Sequence, residues 1–313
     1  MHATLAPRLE RDRRIGCGKP EQSLGDLAKR AIELDLRRGH MSVKRAIHAN
    51  IGQVDLGRVR VPVPSKDEQR AIAQVIEDAD RAPATLRRLI RKKRELRIAV
   101  ARQLLTGDLR LPGFVGEWTR MRLGQLGSFS KGAGIRKDQV SPEGVPCVRY
   151  GEIYTHHDDR VREFNSFISR SVAAESRRIV TGDLLFAASG ETAEEIGKCV
   201  AYLGAGEAYA GGDIVILSPT KDDPLFLAYL MNQEHVARQK MRLGQGDAVV
   251  HIAARALGQI ELSLPTVEEQ RSISTVIAEV DEEIIALEAL AAKNADLATG
   301  IAQELLSGRT RLT

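Results

Sequence analysis

The 313 residues are 43% hydrophobic and 28% charged, enough for about two domains with buried cores, which excludes a chain disordered throughout. A formal net charge of +4 is too small to mark a polyanion-binding protein by itself. No run of about 18 uncharged apolar residues occurs, and Met1 to Arg14 lacks the apolar stretch of a signal peptide, so a cytoplasmic protein without a membrane partner is expected. Cys17, Cys147 and Cys199 stand far apart without CxxC spacing, which argues for reduced, buried thiols rather than a zinc ribbon or disulfide framework.

Residues 1–50 carry 11 basic and six acidic side chains and no aromatic ring, and are expected to be poorly structured or partly helical. Residues 51–111 read as the first copy of a repeat and 266–313 as the second. PSKDEQRAIAQVIEDAD at 64–80 returns as PTVEEQRSISTVIAEVD at 265–281, and LLTGDLRL at 104–111 returns as LLSGRTRL at 305–312. The ungapped register holds 18 identities in 48 positions; leucine-rich composition does not explain the shared proline, Glu-Gln-Arg and Leu-Leu-x-Gly. Each copy reads as a short amphipathic turn and then a long helix, with Asp80 or Asp281 as N-cap, Pro83 marking a restart, and Gly107 or Gly308 as the stop. About 26 residues per long helix give a rod of roughly 40 Å.

Ile284, Leu287, Ala291, Asn294, Ala298, Ile301 and Leu305 follow the 3-4 spacing of a coiled-coil seam. The first copy offers Leu86, Leu89, Ile90, Leu96, Val100 and Leu104, interrupted by Lys93 and Arg97. Residues 80–104 hold nine basic and two acidic side chains, whereas 281–305 hold six acidic and one basic. Helices so opposed attract, and antiparallel packing within one chain is expected because the segment between them must span from the end of one to the start of the other.

All 12 aromatic residues lie within 114–229, which places the main globular core in residues 112–265. Strand-like runs at 145–154, 182–188, 199–204, 211–218 and 259–265 surround one helix at 224–242. The fold class is therefore α+β: a mixed α/β domain with two long helices pairing as an antiparallel coiled coil. Basic and amide side chains concentrate in the domain's loops: Lys131, Arg136 and Lys137; Arg149 with Tyr150 and Tyr154; Lys198; then Lys240, Arg242 and Gln245 ahead of His251. Arg and Lys can read guanine edges or hold phosphates, and Gln can read adenine, so this set is the candidate DNA-binding site. No catalytic or metal centre is expected. There is no P-loop, no GxSxG elbow and no Pro-Pro pair, and GAG at 204–206 lacks the rest of a dinucleotide site. The adjacent residues His156, His157, Asp158 and Asp159 cannot all converge on one ion and read as a solvated loop.

The repeat and the middle domain together resemble the specificity (S) subunit of type I restriction-modification systems. The family's proline, Glu-Gln-x-x-Ile-Ala, Asp, long helix and Leu-Leu-x-Gly are matched by Pro64, Glu68, Gln69, Ile72, Ala73, Asp80, Leu104, Leu105 and Gly107. They are matched again, except at the Ala, by Pro265, Glu269, Gln270, Ile273, Asp281, Leu305, Leu306 and Gly308. RYGEIYT at 149–155, SGETAEEIGK at 189–198 and GGDIVIL at 211–217 resemble one subgroup of the family's target recognition domains. The resemblance covers about 51–313. It implies a non-catalytic subunit that reads double-stranded DNA and gathers two methyltransferase subunits and restriction subunits, with S-adenosylmethionine, ATP and Mg on those partners and no cofactor on this chain. It further implies that the paired helices act as a ruler between half-sites, a 40 Å rod equalling about 12 base pairs.

One departure stands out: a full subunit carries a recognition domain before each repeat, and only about 50 residues precede the first repeat here. A single complete recognition domain is therefore expected to read one half-site, the chain pairing with a second copy or another specificity chain. Competing readings are a coiled-coil adaptor that binds only protein, an inactive remnant, and an enzyme acting alone.

Overall fold

The computed structural model describes residues 63–246 and 249–312. The expectations for residues 1–50, for the register upstream of the first repeat and for Cys17 lie outside them. The chain opens with helix α1, Lys66–Thr106. The middle segment then contributes β1 (Thr119–Arg122), β2 (Gly127–Lys131), β3 (Val140–Ser141), β4 (Val145–Val148), α2 (Tyr150–Thr155), β5 (Ser166–Ile168), α3 (Arg170–Ala174) and β6 (Arg177–Ile179). It continues through β7 (Leu184–Ala187), β8 (Ser189–Gly190), β9 (Cys199–Ala201), β10 (Ala208–Ala210) and β11 (Ile214–Pro219). Last come α4 (Pro224–Met231), α5 (Glu234–Leu243), β12 (Val250–His251), α6 (Ala254–Leu257), β13 (Glu261–Leu264) and the long helix α7, Val267–Leu306. None of the described helices is long and apolar enough to cross a membrane.

Two departures concern the long helices. Neither restarts at its aspartate: α1 runs unbroken for 41 residues with Pro83 inside it, and α7 for 40. Each therefore spans about 60 Å rather than 40. An interior proline costs about 3 kcal/mol, so pairing must outweigh the lost hydrogen bond. The glycine stops hold: Gly107 and Gly308 take φ of 80° and 72°, and Leu109 and Thr310 each donate back to a carbonyl six residues earlier, closing the helix end.

The second departure is the seam. Burial along α1 follows Ile72, Ile76, Pro83, Ile90, Ala101 and Leu104, with Leu86, Lys93, Arg97 and Val100 half-buried between them. Leu89 and Leu96 are 40% and 55% exposed, because one residue rotates a helix by about 100° and a seam through Ile90 leaves Leu89 outside. On α7, burial falls at Ile273, Ile277, Ile284, Ala291, Ala298, Ala302 and Leu305, with Leu287 half-buried; Ile301 faces outward and Ala302 takes its place.

The described residues divide into two compact units, one of residues up to Lys93 and from Glu283 onward, the other Arg94–Glu282, and both long helices run through the boundary. Within the first unit, Ile72 and Ile76 cluster with Ala302 and Leu305, Lys93 pairs with Glu283 at 2.5 Å, and Arg311 grips Glu68 with two bonds of 2.5 and 2.6 Å. Within the second, Ala101, Leu104 and Leu105 share a core with Ile273 and Ile277, and Arg110 grips Glu269 at 2.5 and 2.7 Å. Early α1 meets late α7 in the first unit and late α1 meets early α7 in the second, so the helices run antiparallel. The repeat is reciprocal: the glutamate opening each copy is held by the arginine closing the other. Lys93 and Arg97, which interrupt the apolar pattern, complete the seam through acidic partners.

The middle domain is built on the four-stranded sheet β2-β11-β7-β9 beside the five-stranded sheet β3-β5-β4-β10-β6. All four residues of β7 are buried, and alternation sends them to different cores. Leu184 and Phe186 join the cluster containing α4, while Leu185 and Ala187 join Val148, Ile179, Ala208 and Ala210. Helix α4 is buried on every side, capped by Asp223 accepting from Phe226 N at 2.7 Å, with Pro224 at its first turn. Cys147 and Cys199 are free and buried.

Two expected elements split. The strand expected over 145–154 stops at Val148, because the Glu152 carboxylate accepts from Arg149 N at 3.0 Å and opens helix α2. The helix expected over 224–242 breaks at Asn232, whose side chain accepts from Cys199 N at 3.0 Å and donates to Cys199 O at 2.8 Å. Asn232 also donates to Asp159 at 2.8 Å. Asp159 in turn accepts from Arg97 at 2.6 Å, Arg97 pairs with Asp281 at 2.9 Å, and Tyr229 donates its hydroxyl to Asp281 at 2.9 Å while lying under the guanidinium. This network fastens the middle domain to the adjoining parts of both long helices.

Candidate nucleic-acid interface

Backbone hydrogen bonds stitch the loops carrying most of the expected site residues into one end of the middle domain. Gly132 N donates to Ile214 O (2.9 Å), Gly212 N to Gly134 O (3.2 Å) and Gly211 N to Val148 O (2.9 Å). Ala188 N donates to Asp213 O (2.8 Å) and Ile252 N to Ala188 O (2.9 Å). The loop after β2, the turns after β4, β7 and β10, and strand β12 therefore meet. Glycine is required where they cross: a Cβ on Gly132 would lie 1.9 Å from Gly211 O. Ile135 and Asp213, the two non-glycine residues with positive φ (58° and 59°) among the described residues, both lie at this junction. Such strain collects where a fold holds a functional surface.

This end carries Lys131, Arg136, Lys137, Tyr150, Gln245 and His251, all exposed. Arg149 is also here, but it is held by Glu152 at 3.2 Å, a buried carboxylate that also takes the Ser166 hydroxyl. Tyr154 donates to Ser189 O at 3.2 Å, and burial pushes its phenol up to about 12. Arg242 is exposed in the last turn of α5.

Lys198 and Lys240 do not join this exposed set. With Tyr154 and Asn232 they line a cleft of about 400 Å³ that also holds Asp158, Asp159, Glu194 and Glu195, a lining that repels phosphate. Lys198 donates to His157 O at 2.7 Å, and Lys240, 3% exposed, donates to Gly197 O at 2.7 Å. A buried ammonium cannot reach a duplex, so Lys240 is a structural residue. The run His156 to Asp159 is not a simple solvated loop either, since His157 is 4% exposed and Asp159 belongs to the Arg97 network. Among the described residues, no three His, Cys, Asp or Glu side chains are grouped to hold a metal ion.

Burial pushes the Lys240 ammonium from its ordinary 10.5 down to about 8. Between those values the folded chain binds fewer protons than the unfolded chain, so this group's contribution to stability rises with pH. Comparing wild type with Lys240→Met separates this group from the phenols that titrate in the same range. Wild type is expected to gain on the variant as pH rises from about 8 toward 10.5 in thermal melts; a constant difference would show that Lys240 is not charged and buried at neutral pH.

The site also gains a residue that loop composition does not mark. Arg177, exposed on the sheet-edge strand β6, donates from Nε to Lys131 O at 3.4 Å, bringing a further cation to the rim. Its only sequence signal is Arg177-Arg178 within a short strand. If Arg177 holds a phosphate, Arg177→Ala is expected to weaken duplex binding equally on all sequences and flatten the log–log salt slope by about 1. Loss confined to one sequence would instead mark base contact.

The family model of the type I restriction modification DNA specificity domain matches residues 116–296. Among curated relatives, the type I restriction enzyme MjaVIII specificity subunit of Methanocaldococcus jannaschii is 22% identical over 245 residues, covering 71% of this chain and 55% of that protein. The putative type I restriction enzyme MjaX specificity subunit of the same organism is 23% identical, covering 76% of this chain and 56% of that protein. The chain thus spans about half the length of the curated relatives it matches. A crystal structure of a type I restriction-modification S subunit from M. genitalium aligns with a TM-score of 0.58 at 16% identity, over 92% of this chain and 74% of that one. A chain from a structure addressing complex assembly and conformational transition of the type I R-M system aligns at 0.57 and 18% identity, over 88% and 68%. These two likenesses show the fold, and the family match, which takes in more than half of the sequence, shows that the chain belongs to the type I restriction-modification DNA specificity domain family.

Proposed function

We propose that this chain is a non-catalytic DNA reader whose recognition domain binds one half-site of a bipartite duplex sequence and whose helix pair docks methyltransferase subunits. The observation that carries the first part is the stitched loop end, where Lys131, Arg136, Lys137, Tyr150, Gln245 and His251 are presented together on a backbone that cannot splay. Cations there serve phosphates, and the amide, phenol and imidazole can meet base edges. Docking is supported by outward leucines at heptad spacing, Leu89 and Leu96 on α1 and Leu290 and Leu297 on α7, each at least 40% exposed. S-adenosylmethionine, ATP and Mg would enter with the partner subunits, and pairing with a second copy or another specificity chain would supply the other half-site.

The test is duplex binding by the full chain together with methyltransferase subunits, measured against salt. Neutralising several phosphates gives a log–log slope of about −0.9 for each. A steep slope with affinity above that of the methyltransferase alone is expected. No added affinity for duplex would favour a protein-only adaptor.

A further inference from the structure

Given the DNA-reading role proposed above, the side chains at the loop end differ in what they still have to offer. Arg149 is committed to Glu152 and Tyr154 to a carbonyl. His251 is fixed and yet open. Its backbone N–H donates to Gln245 O at 2.8 Å and its carbonyl accepts from Gln245 N at 2.9 Å, while its strand pairs with Ser189 and Gly190. Its Nδ1 lies 2.8 Å from the Ser189 hydroxyl, and Ser189 is itself buried at 4% exposure with its carbonyl taken by Tyr154. Main chain and ring are therefore both anchored, and the residue as a whole stays exposed.

The Ser189–His251 contact accommodates either direction of donation; with the hydroxyl donating to Nδ1, the ring's own proton sits on Nε2. We infer that His251 is a specificity-determining residue that donates from Nε2 to an acceptor on a purine's major-groove edge, N7 or guanine O6, and that Ser189 is the positioning residue that sets its tautomer and aim. Phosphate contacts carry no sequence information, whereas a donor held in a fixed direction discriminates between base edges. Ser189 lies at the buried end of this arrangement, so its contribution reaches DNA only through the ring.

The experiment is selection of a random-sequence duplex library by the full chain with methyltransferase subunits, followed by sequencing. The wild-type complex is expected to enrich a motif. His251→Ala should lower discrimination at a single position of that motif by about fivefold or more while leaving the other positions and the salt slope unchanged. His251→Asn keeps an acceptor for Ser189 but lacks the distal donor, so it should behave like His251→Ala. Ser189→Ala should relax the same position partially and Ser189→Thr, which keeps the hydroxyl, should restore it; a merely structural role would not touch that one position. An unchanged motif in both His251 variants overturns the inference, as does uniform weakening with a shallower salt slope, which would make His251 a phosphate contact. Wild-type behaviour of Ser189→Ala overturns the positioning role. If the wild-type complex enriches no motif, the DNA-reading role itself fails, a result distinct from these.

Discussion

Replacing Arg97 with Ala is expected to destabilise the unit formed by Arg94–Glu282 by about 3 kcal/mol, the scale for removing one partner of a buried ion pair. The side chains of Arg97, Asp281 and Asp159 are 21%, 19% and 15% exposed, so water offers limited compensation. One guanidinium nitrogen meets both carboxylates, at 2.6 Å for Asp159 and 3.2 Å for Asp281, and its loss leaves two negative charges facing each other. Burial opposes the charge on Arg97, yet its bonds and attraction to the two aspartates more than offset this and raise its pKa above the ordinary value. For a unit of this size the melting temperature should fall by roughly 6–12 °C. Arg97→Lys keeps the charge but not the two-pronged geometry and should recover only part of the loss. A melt within about 1 °C of wild type would show that the network does not fasten the recognition domain to the helices.

The second large effect separates neighbours on α7. Ala302 is fully buried against Ile72 and Ile76, whereas Ile301 is 39% exposed. Ala302→Lys inserts a long charged side chain into a seam closed around a methyl group and is expected to cost more than about 3 kcal/mol or to unpair the helices. Ile301→Lys should change stability by no more than about 0.5 kcal/mol, like other surface substitutions. Thermal unfolding followed by helix signal decides between them. The opposite ranking would restore the seam that the 3-4 spacing alone suggests.

That near miss shows what the sequence makes legible. The duplicated motif fixes two helices, their glycine stops and their antiparallel sense, because opposite charge and matched length leave little freedom. It does not fix which of two adjacent apolar residues faces inward, since alanine and isoleucine compete and the closest approach of two helices favours the smaller. Lys93 and Arg97 read as interruptions because their partners, Glu283 and Asp281, lie about 190 residues away in sequence. Pro83 read as a restart because local helix rules carry no term for a partner helix. In the recognition domain, loop composition picked out Lys131, Tyr150 and His251, which are exposed, alongside Lys240, which is buried because it reaches the distant loop at Gly197. Arg177 was invisible because an arginine in a short strand looks like any solvated edge until Lys131 is placed beside it.

Footprinting of the full chain with methyltransferase subunits on random-sequence duplexes tests the central reading most directly. Protection centred on a defined sequence, either one-sided or repeated as a palindrome by a second copy, is the predicted result. Protection spread evenly over unrelated sequences would contradict it.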